Sequence, residues 1–555
     1  MSSFRHVEHC ISRQLAHKRL NAFVSHPHAD ALRSAAQQVD SKSTRGPLVG
    51  KLISLKDNIA SPSSVREPTS CASFALDGYV SPYPSTVSKL LEEAGALVAG
   101  KTNMDEFGMG SHSQSSRCGV VINHLSRGAG ADALSAGGSS GGSAVAVATG
   151  QCWAALGTDT GGSVRLPAAW TGTVGFKPSY GRVSRWGVVD YANSLDTVGW
   201  LATSISDAWS VYKTLDMHDP QDPTSLTTLS RDRIFRTTLL VDSARTASSV
   251  LPDRSPDRLR IGIPREYNTT ALSDPAKAAW TATLLSLQSR GHTLVPISLP
   301  STSLALSAYY VLAPAEAASN LARYDGVRYG HRSSSPDSSS VSPLFSSTRA
   351  DALGPEVRRR ILLGSYTLSS AAYDNYFLQA QRVRRLIQSE FNHVFTMPHP
   401  LLHETQDLWD GHGKVKTALV KPHGVDVIIS PTAMTLPPTL KDVAGQTPVE
   451  KYVGDVGTVP GSLAGLPAVS VPVEIPGGGN GEVKTVGMQV MGQYGDDETV
   501  LLVGGILEGL AKGMQGTAEG DVRAMGEVKE LCREGSGLEG RDVAEVMREF
   551  GREFE

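Results

Sequence analysis

Cysteine is scarce and unpaired in this sequence: Cys10, Cys71, Cys118, Cys152 and Cys532 are the only five in 555 residues, and no two stand at C-x-x-C spacing. That spacing excludes a zinc ribbon and a disulfide framework and fits a reducing compartment. No stretch reaches the roughly 18 uninterrupted apolar residues of a membrane-spanning helix. The longest candidate, near residues 144–156, is broken by Gly150 and Gln151. Charge of either sign is also short, with 52 Lys and Arg against 55 Asp and Glu, a net of −3. That balance excludes wholesale electrostatic attraction to nucleic acid or to an acidic membrane, so any RNA contact is local or made through a partner. Neither of the Gly- and Ser-rich segments, 135–150 and 156–167, carries the Gly-Lys-Ser/Thr ending of a phosphate-cradling loop, and no H-E-x-x-H pair marks a metal-dependent hydrolase. What is present is a chain 40% hydrophobic and 19% charged, enough to bury a large core and too apolar to be mostly disordered.

The pattern along the chain is that of an α/β protein. Residues 88–100, SKLLEEAGALVAG, read as an amphipathic helix closing on Gly95 and followed by a short strand. The rhythm recurs as strand 259–264, a helix from Pro275 to Arg290, strand 292–299 and strand 426–432. Helices alternating with short apolar strands imply helices covering a sheet. The first twenty residues set Arg5, Arg13, Lys18 and Arg19 against Glu8 alone, which suits an organelle-import segment or simply the first helix. Two inserts interrupt the rhythm, a Ser/Pro-rich surface loop at 331–347 and a longer loop at 398–424 that is a partner-docking feature or a tolerated insertion. Residues 513–555 read as a charged extension of one or two exposed helices without chemistry.

The densest chemical signal is SAGGSSGGSAVAVATG (135–150) followed by LGTDTGGSVRLP (156–167), which sets the Gly-flanked Ser139 and Ser163 24 residues apart. Glycines let several backbone N–H groups aim at one point beside a hydroxyl, as an oxyanion hole requires. The G-x-S-x-G elbow of α/β hydrolases is in register only at Ser139, with no apolar strand leading into it. A serine nucleophile needs a base. The histidines are scattered: His26 and His28 lie in a polar stretch, His112 and His124 in loops, and His399, His403, His412 and His423 in the second insert, and all read as surface residues. The remaining base is Lys56, inside the apolar segment LISLKDNIA, where burial would depress its pKa.

KLISLKDNI, KTNMDEFGMG, AGGSSGGSAVAVATG and LGTDTGGSVRLPAAWTGTVGFKPSYGRVSRWG resemble the amidase signature family nearly block for block. Within it, NSLD, YYVLAPAEAASNLARYDGVRYG, EVRRRILLGSY and SLAGLP are most similar to the branch of A subunits of glutamyl-tRNA(Gln) amidotransferases. The likeness covers roughly residues 15–512. It implies one amidase-signature domain over 1–512, with a central mixed sheet covered by helices on both faces. It also implies a Ser–Ser–Lys triad: Ser163 as nucleophile, Ser139 as the bridging serine after a cis peptide bond at Gly138–Ser139, and Lys56 as the neutral proton shuttle. Backbone amides of Thr160, Gly161, Gly162 and Ser163 would form the oxyanion hole. Glutamine carries an ammonium and a carboxylate, so its recognition needs one fixed cation and one fixed anion. By resemblance these are Arg360 and Asp455, with Arg358 and Arg359 solvated. Glu106 resembles a glutamate at the mouth of an ammonia path, or caps a helix.

The resemblance further implies a glutaminase that delivers ammonia to Glu-tRNA(Gln) inside a complex with two companions, a B subunit plus a small third one. It implies no cofactor in this chain, with ATP and Mg on the partner, and no membrane. The 83-residue spacing from Lys56 to Ser139 exceeds the bacterial pattern, with expansions at 128–134 and 61–68, and the 398–424 insert looks like that of fungal mitochondrial forms. The expected location is therefore the mitochondrial matrix. Two other readings stand beside this one: a stand-alone amidase of small or fatty amides, and an inactive scaffold component.

Overall fold

A strand buried on both faces reads as a nearly continuous apolar run, and LISLK, AALGTD and VIISP each form such a strand. The computed structural model describes residues 2–41, 46–126, 132–247, 258–334, 344–402, 420–421, 423–478 and 483–511. Its strands are β1 (Phe23–Ser25), β2 (Leu52–Lys56), β3 (Leu97–Thr102), β4 (Ala154–Asp159), β5 (Val174–Lys177), β6 (Thr197–Ala202), β7 (Arg260–Pro264), β8 (Thr293–Ile297), β9 (Val427–Pro431), β10 (Ala468–Glu474) and β11 (Thr485–Gly492). They form one 11-stranded sheet in the order β1-β3-β2-β4-β6-β5-β10-β11-β9-β7-β8. β2 runs parallel to β3 and β4, and β7 to β8 and β9, while the other pairings are antiparallel. The expected single α/β domain with a mixed sheet is what the chain forms.

Successive side chains of a strand point to opposite faces, and the core divides accordingly. Ile53, Leu55, Val98, Leu156, Trp200 and Ala202 belong to one apolar cluster, while Leu52, Leu97, Ala99, Ala155 and Leu201 belong to another. Each cluster is closed by helices, so both faces of the sheet are covered. On the second face the helix Gly141–Ala148 lies so close that a Cβ on Gly142 would sit 2.3 Å from the Asn103 carbonyl oxygen and 2.5 Å from that of Ala22.

The expected helix at 88–100 spans Thr86–Glu93, two residues early, because Ser85 sets its start by accepting the Ser88 N–H at 3.2 Å. Gly95 then adopts φ +91° and the chain enters β3. The strands expected at 259–264, 292–299 and 426–432 are β7, β8 and β9, and the helix expected from Pro275 is Asp274–Ser289. The basic start forms the helix Ser3–Ala16, which buries Val7 and Cys10 in the second cluster, with the Cys10 thiol donating to the Gln151 carbonyl at 2.8 Å. Most of the insert at 398–424 and all of the extension at 513–555 lie outside the described residues.

Candidate active site

β2 and β4 are adjacent and parallel, with Leu55 opposite Leu156, so their C-terminal ends open on one side, where α/β sheets place ligands. Lys56 is the last residue of β2 and is fully buried. Its Nζ lies 2.7 Å from Ser139 Oγ, 2.9 Å from Thr158 Oγ1 and 3.3 Å from the Thr158 carbonyl oxygen. Thr158 Oγ1 also accepts the Asn58 Nδ2–H at 3.2 Å. Burial pulls the Lys56 pKa down from 10.5 to about 7, against the pull of the Asp105, Asp159 and Asp196 carboxylates. The amine is thus divided between its charged and neutral forms near neutral pH. A neutral amine has two N–H donors and one lone pair, and two Thr158 oxygens and one serine hydroxyl match that set.

The peptide bond Gly138–Ser139 is cis. A Cβ on Gly138 would lie 2.3 Å from Asp105 Oδ2, so glycine is required there. Asp105 in turn accepts the N–H groups of Ser113 and Ser115 at 2.8 and 2.9 Å, which shapes the loop beneath the turn.

Ser163 is half-buried, and its carbonyl accepts the Ser140 N–H at 3.1 Å, tying the two glycine-flanked turns together. Among the described residues its hydroxyl has no hydrogen-bond partner, so the link from Ser163 to Ser139 is open in this state. The loop around it is fixed by its carbonyls. Gly161 O accepts Thr458 Oγ1–H at 2.7 Å, and Gly162 O accepts the Leu166 N–H at 2.8 Å. With the carbonyls committed, the N–H groups of Gly161, Gly162 and Ser163 have no acceptor among the described residues, a cluster of free donors that an oxyanion would satisfy. Thr160 donates its hydroxyl to Asp196 at 2.7 Å, and Asp196 also accepts the N–H groups of Tyr191 and Ala192.

Both ends of this loop are held by a buried ion pair that sequence reasoning missed. Arg165 reaches the Asp159 carboxylate through Nε at 3.0 Å and Nη2 at 2.8 Å, and spends its other donors on Thr458 O, Gln489 and Ser462. Asp159 also accepts the backbone N–H groups of Val164 and Arg165. The signal was the flanking of the serine itself, D-x5-R in DTGGSVR.

A cation and an anion stand together nearby. Arg360 is buried on the helix Pro355–Thr367, with Nε donating to Glu356 at 2.8 Å and Nη1 to the Tyr191 hydroxyl at 2.7 Å. Its guanidinium lies 5.3–5.7 Å from the rings of Tyr191, Tyr310 and Tyr452. Asp455 Oδ2 accepts from Ser111 Oγ at 2.8 Å and from the Tyr310 hydroxyl at 3.0 Å. Tyr310 therefore touches both charged groups. Among the described residues, Arg360 Nη2 and Asp455 Oδ1 take no part in any hydrogen bond. Burial raises the Asp455 pKa to about 6. The pair is coupled to the serine loop, since Thr458 Oγ1 reaches both the Asp455 and Gly161 carbonyls and a Cβ on Gly161 would meet the Tyr309 ring at 2.7 Å. Arg358 and Arg359 are exposed on the same helix.

Glu106 is buried, and its carboxyl accepts from Ser73 Oγ and, at 2.8 Å, from the N–H of Gly354, the residue that opens the Arg360 helix. That is a helix-end contact. The expectation that the histidines lie at the surface fails for His112, which is buried, stacked on Trp170 at 5.5 Å and held down to a pKa of about 4 by burial. Its Nδ1 meets Ser135 Oγ at 3.1 Å, and an imidazole kept neutral packs there as a flat ring. His403 and His412 lie outside the described residues.

A family model described as Amidase matches residues 5–501. The A subunit of the mitochondrial glutamyl-tRNA(Gln) amidotransferase of Ajellomyces capsulatus is 52% identical over 92% of this chain and 100% of its own length. The protein of the same name from Emericella nidulans is 51% identical over the same shares. Among solved structures, that of the A subunit of the glutamyl-tRNA(Gln) amidotransferase from Thermotoga maritima superposes with a TM-score of 0.63 at 30% identity, covering 90% of each chain.

Proposed function

The chain belongs to the amidase family, and from that premise we propose that it is the glutamine-hydrolysing A subunit of a mitochondrial glutamyl-tRNA(Gln) amidotransferase. Such a chain works inside a heteromeric complex. The observation that carries the substrate is the Arg360–Tyr310–Asp455 arrangement beside a free-donor serine loop: a guanidinium for a carboxylate, a carboxylate for an ammonium, and N–H groups for the carboxamide oxygen.

In the proposed chemistry, neutral Lys56 accepts the Ser139 proton as Ser139 accepts that of Ser163, and Ser163 Oγ attacks the side-chain carboxamide carbon of glutamine. The relay needs the Ser163 hydroxyl to turn toward Ser139, a contact that bound substrate tightens. The N–H groups of Gly161, Gly162 and Ser163 take the developing oxyanion, each donor contributing about 3 kcal/mol. Ammonia is a poor leaving group and departs only when protonated, so the proton held at Lys56 returns through Ser139 to the leaving nitrogen. Water then attacks the glutamyl ester on Ser163 by the same relay and releases glutamate.

Ammonia would leave past Glu106 toward a B subunit. There, beside a small third component, ATP and Mg would activate the glutamyl ester of Glu-tRNA(Gln). These assignments rest on the resemblance and on the relatives' names. The test is Arg360→Ala assayed on glutamine and on a simple alkyl amide. Loss of glutamine turnover by about 100-fold with the alkyl amide spared supports the reading, since a charge-assisted hydrogen bond contributes about 1.5–3 kcal/mol. Unchanged glutamine turnover would turn it toward a general amidase.

A further inference from the structure

Residues 185–193 on one side, and residues 79–83 with 323–329 on the other, enclose a cavity of about 400 Å³. None of Lys56, Ser139, Ser163, Arg360 and Asp455 lines it. Its walls are aromatic: Tyr83 is stacked on Trp186 at 5.3 Å, and Tyr79 lies 5.5 Å from Tyr329, ring to ring. The backbone holds these walls in place without a ligand. The Gly187 carbonyl accepts the Ala60 N–H at 2.9 Å, the Asn58 carbonyl accepts the Val189 N–H at 2.8 Å, and the Trp186 carbonyl accepts the Thr86 N–H at 3.1 Å. A preformed hollow of this size, with aromatic walls and a few converging polar groups, is how small-molecule sites are built. The polar group with capacity to spare is Arg185. Its Nε donates to Thr224 Oγ1 at 3.1 Å, while Nη1 is buried without a partner and Nη2 makes no hydrogen bond among the described residues. Guanidinium donors left unpaired cost free energy that an acceptor would recover. The acids of the lining are already engaged. Asp222 accepts the N–H groups of Arg185 and Thr224 and the Thr224 hydroxyl, and Asp190 faces Arg323 at 3.5 Å.

We propose that this cavity is a second binding site, for a small molecule that joins one flat ring to an anionic group. The anion takes the two Nη groups of Arg185, because a planar guanidinium presents paired donors that match a carboxylate or a phosphate. The ring packs against the aromatic walls, where a second π-system gains more than its buried area alone provides. A cage of tyrosine and tryptophan can also hold a cation, but the Arg185 guanidinium in the wall repels one. A nucleoside monophosphate and an aromatic carboxylate both carry the required chemistry. The site is separate from glutamine hydrolysis and does not depend on the amidotransferase reading.

The experiment titrates the full chain with AMP and with phenylacetate by calorimetry. Inorganic phosphate, which lacks the ring, and phenethylamine, which reverses the charge, are the controls. At least one of the two test compounds is expected to bind tenfold or more tightly than either control. AMP alone would assign the anion as a phosphate, and phenylacetate alone as a carboxylate. Arg185→Gln should weaken that binding at least tenfold, and Tyr329→Leu about threefold, with circular dichroism reporting the fold of each. The Arg185 charge also favours the ionised form of Asp196, which holds Thr160, so Tyr329→Leu is the variant whose glutamine turnover should match wild type. Failure of both AMP and phenylacetate to bind would overturn the proposal. Equal binding of phosphate or phenethylamine, or wild-type affinity in both variants, would do the same. Competitive displacement of the bound probe by glutamine would also overturn it, by making the cavity part of the glutamine site.

Discussion

Lys56, Lys101 and Lys177 are all completely buried, and burial lowers their pKa values to about 7, 8 and 7. By burial and basicity alone the three cannot be told apart. Their partners differ. Lys101 gives its amine to the Ile59 carbonyl and to Thr69, and Lys177 gives its amine to the Pro178 carbonyl at 2.9 Å. The Lys177 acceptor is a carbonyl, and the Thr69 hydroxyl beside Lys101 meets no second hydroxyl among the described residues. Lys56 alone among them meets a serine hydroxyl on a turn that touches a second serine. A depressed lysine pKa is therefore a consequence of burial, and what sets Lys56 apart is the serine turn beside it, which the proposed mechanism uses as a proton relay.

The largest effect that sharpens this comparison is expected from Ser163→Ala. It should lower glutamine hydrolysis by about 10⁴-fold or more without changing the melting temperature, as read by steady-state ammonia release and calorimetry. Retained turnover would remove the relay altogether. Next comes Arg165→Met, which leaves the Asp159 carboxylate buried without its ion-pair partner. It should cost about 3–5 kcal/mol in denaturant unfolding and collapse the donor loop with it.

Asp455→Asn should raise KM for glutamine about 10- to 100-fold while kcat moves less, because a charge-assisted contact to the ammonium is lost in ground and transition state alike. In the wild type the same loss should come with acid. The Asp455 pKa is raised to about 6, so its charge, and with it low KM, is present above that pH and fades below it. The smallest effect belongs to Lys177→Met. An apolar chain of similar volume there should leave kcat as it is and shift stability by no more than about 1–4 kcal/mol, in the stabilising direction if at all. A collapse of kcat in that variant would erase the distinction between the lysines.

Much of this site was legible in the sequence because its chemistry is written in contiguous blocks. GGSSGG and DTGGSVR each carry a serine with the glycines its turn needs, and LISLK shows a lysine inside an apolar strand. The strands β7, β8 and β9 stood out for the same reason, being short apolar runs between turn residues. What stayed hidden depends on contacts between distant segments. Nothing local tells that Lys101 and Lys177 are as deeply buried as Lys56, since KT and FKPS end their strands as a solvent-facing lysine would. The burial of His112 follows from Trp170, 58 positions away in the sequence. The tyrosines that surround Arg360 come from three separate stretches of chain.

The most direct measurement is the pH dependence of kcat at saturating glutamine, where the proposed mechanism has Asp455 shielded by bound substrate and requires Lys56 to be neutral. Because its amine titrates near 7, kcat should rise with pH along a single-proton limb centred there, and the limb should persist in Lys177→Met. A kcat that stays flat from pH 6 to 8, or a limb that vanishes with Lys177, would contradict the account.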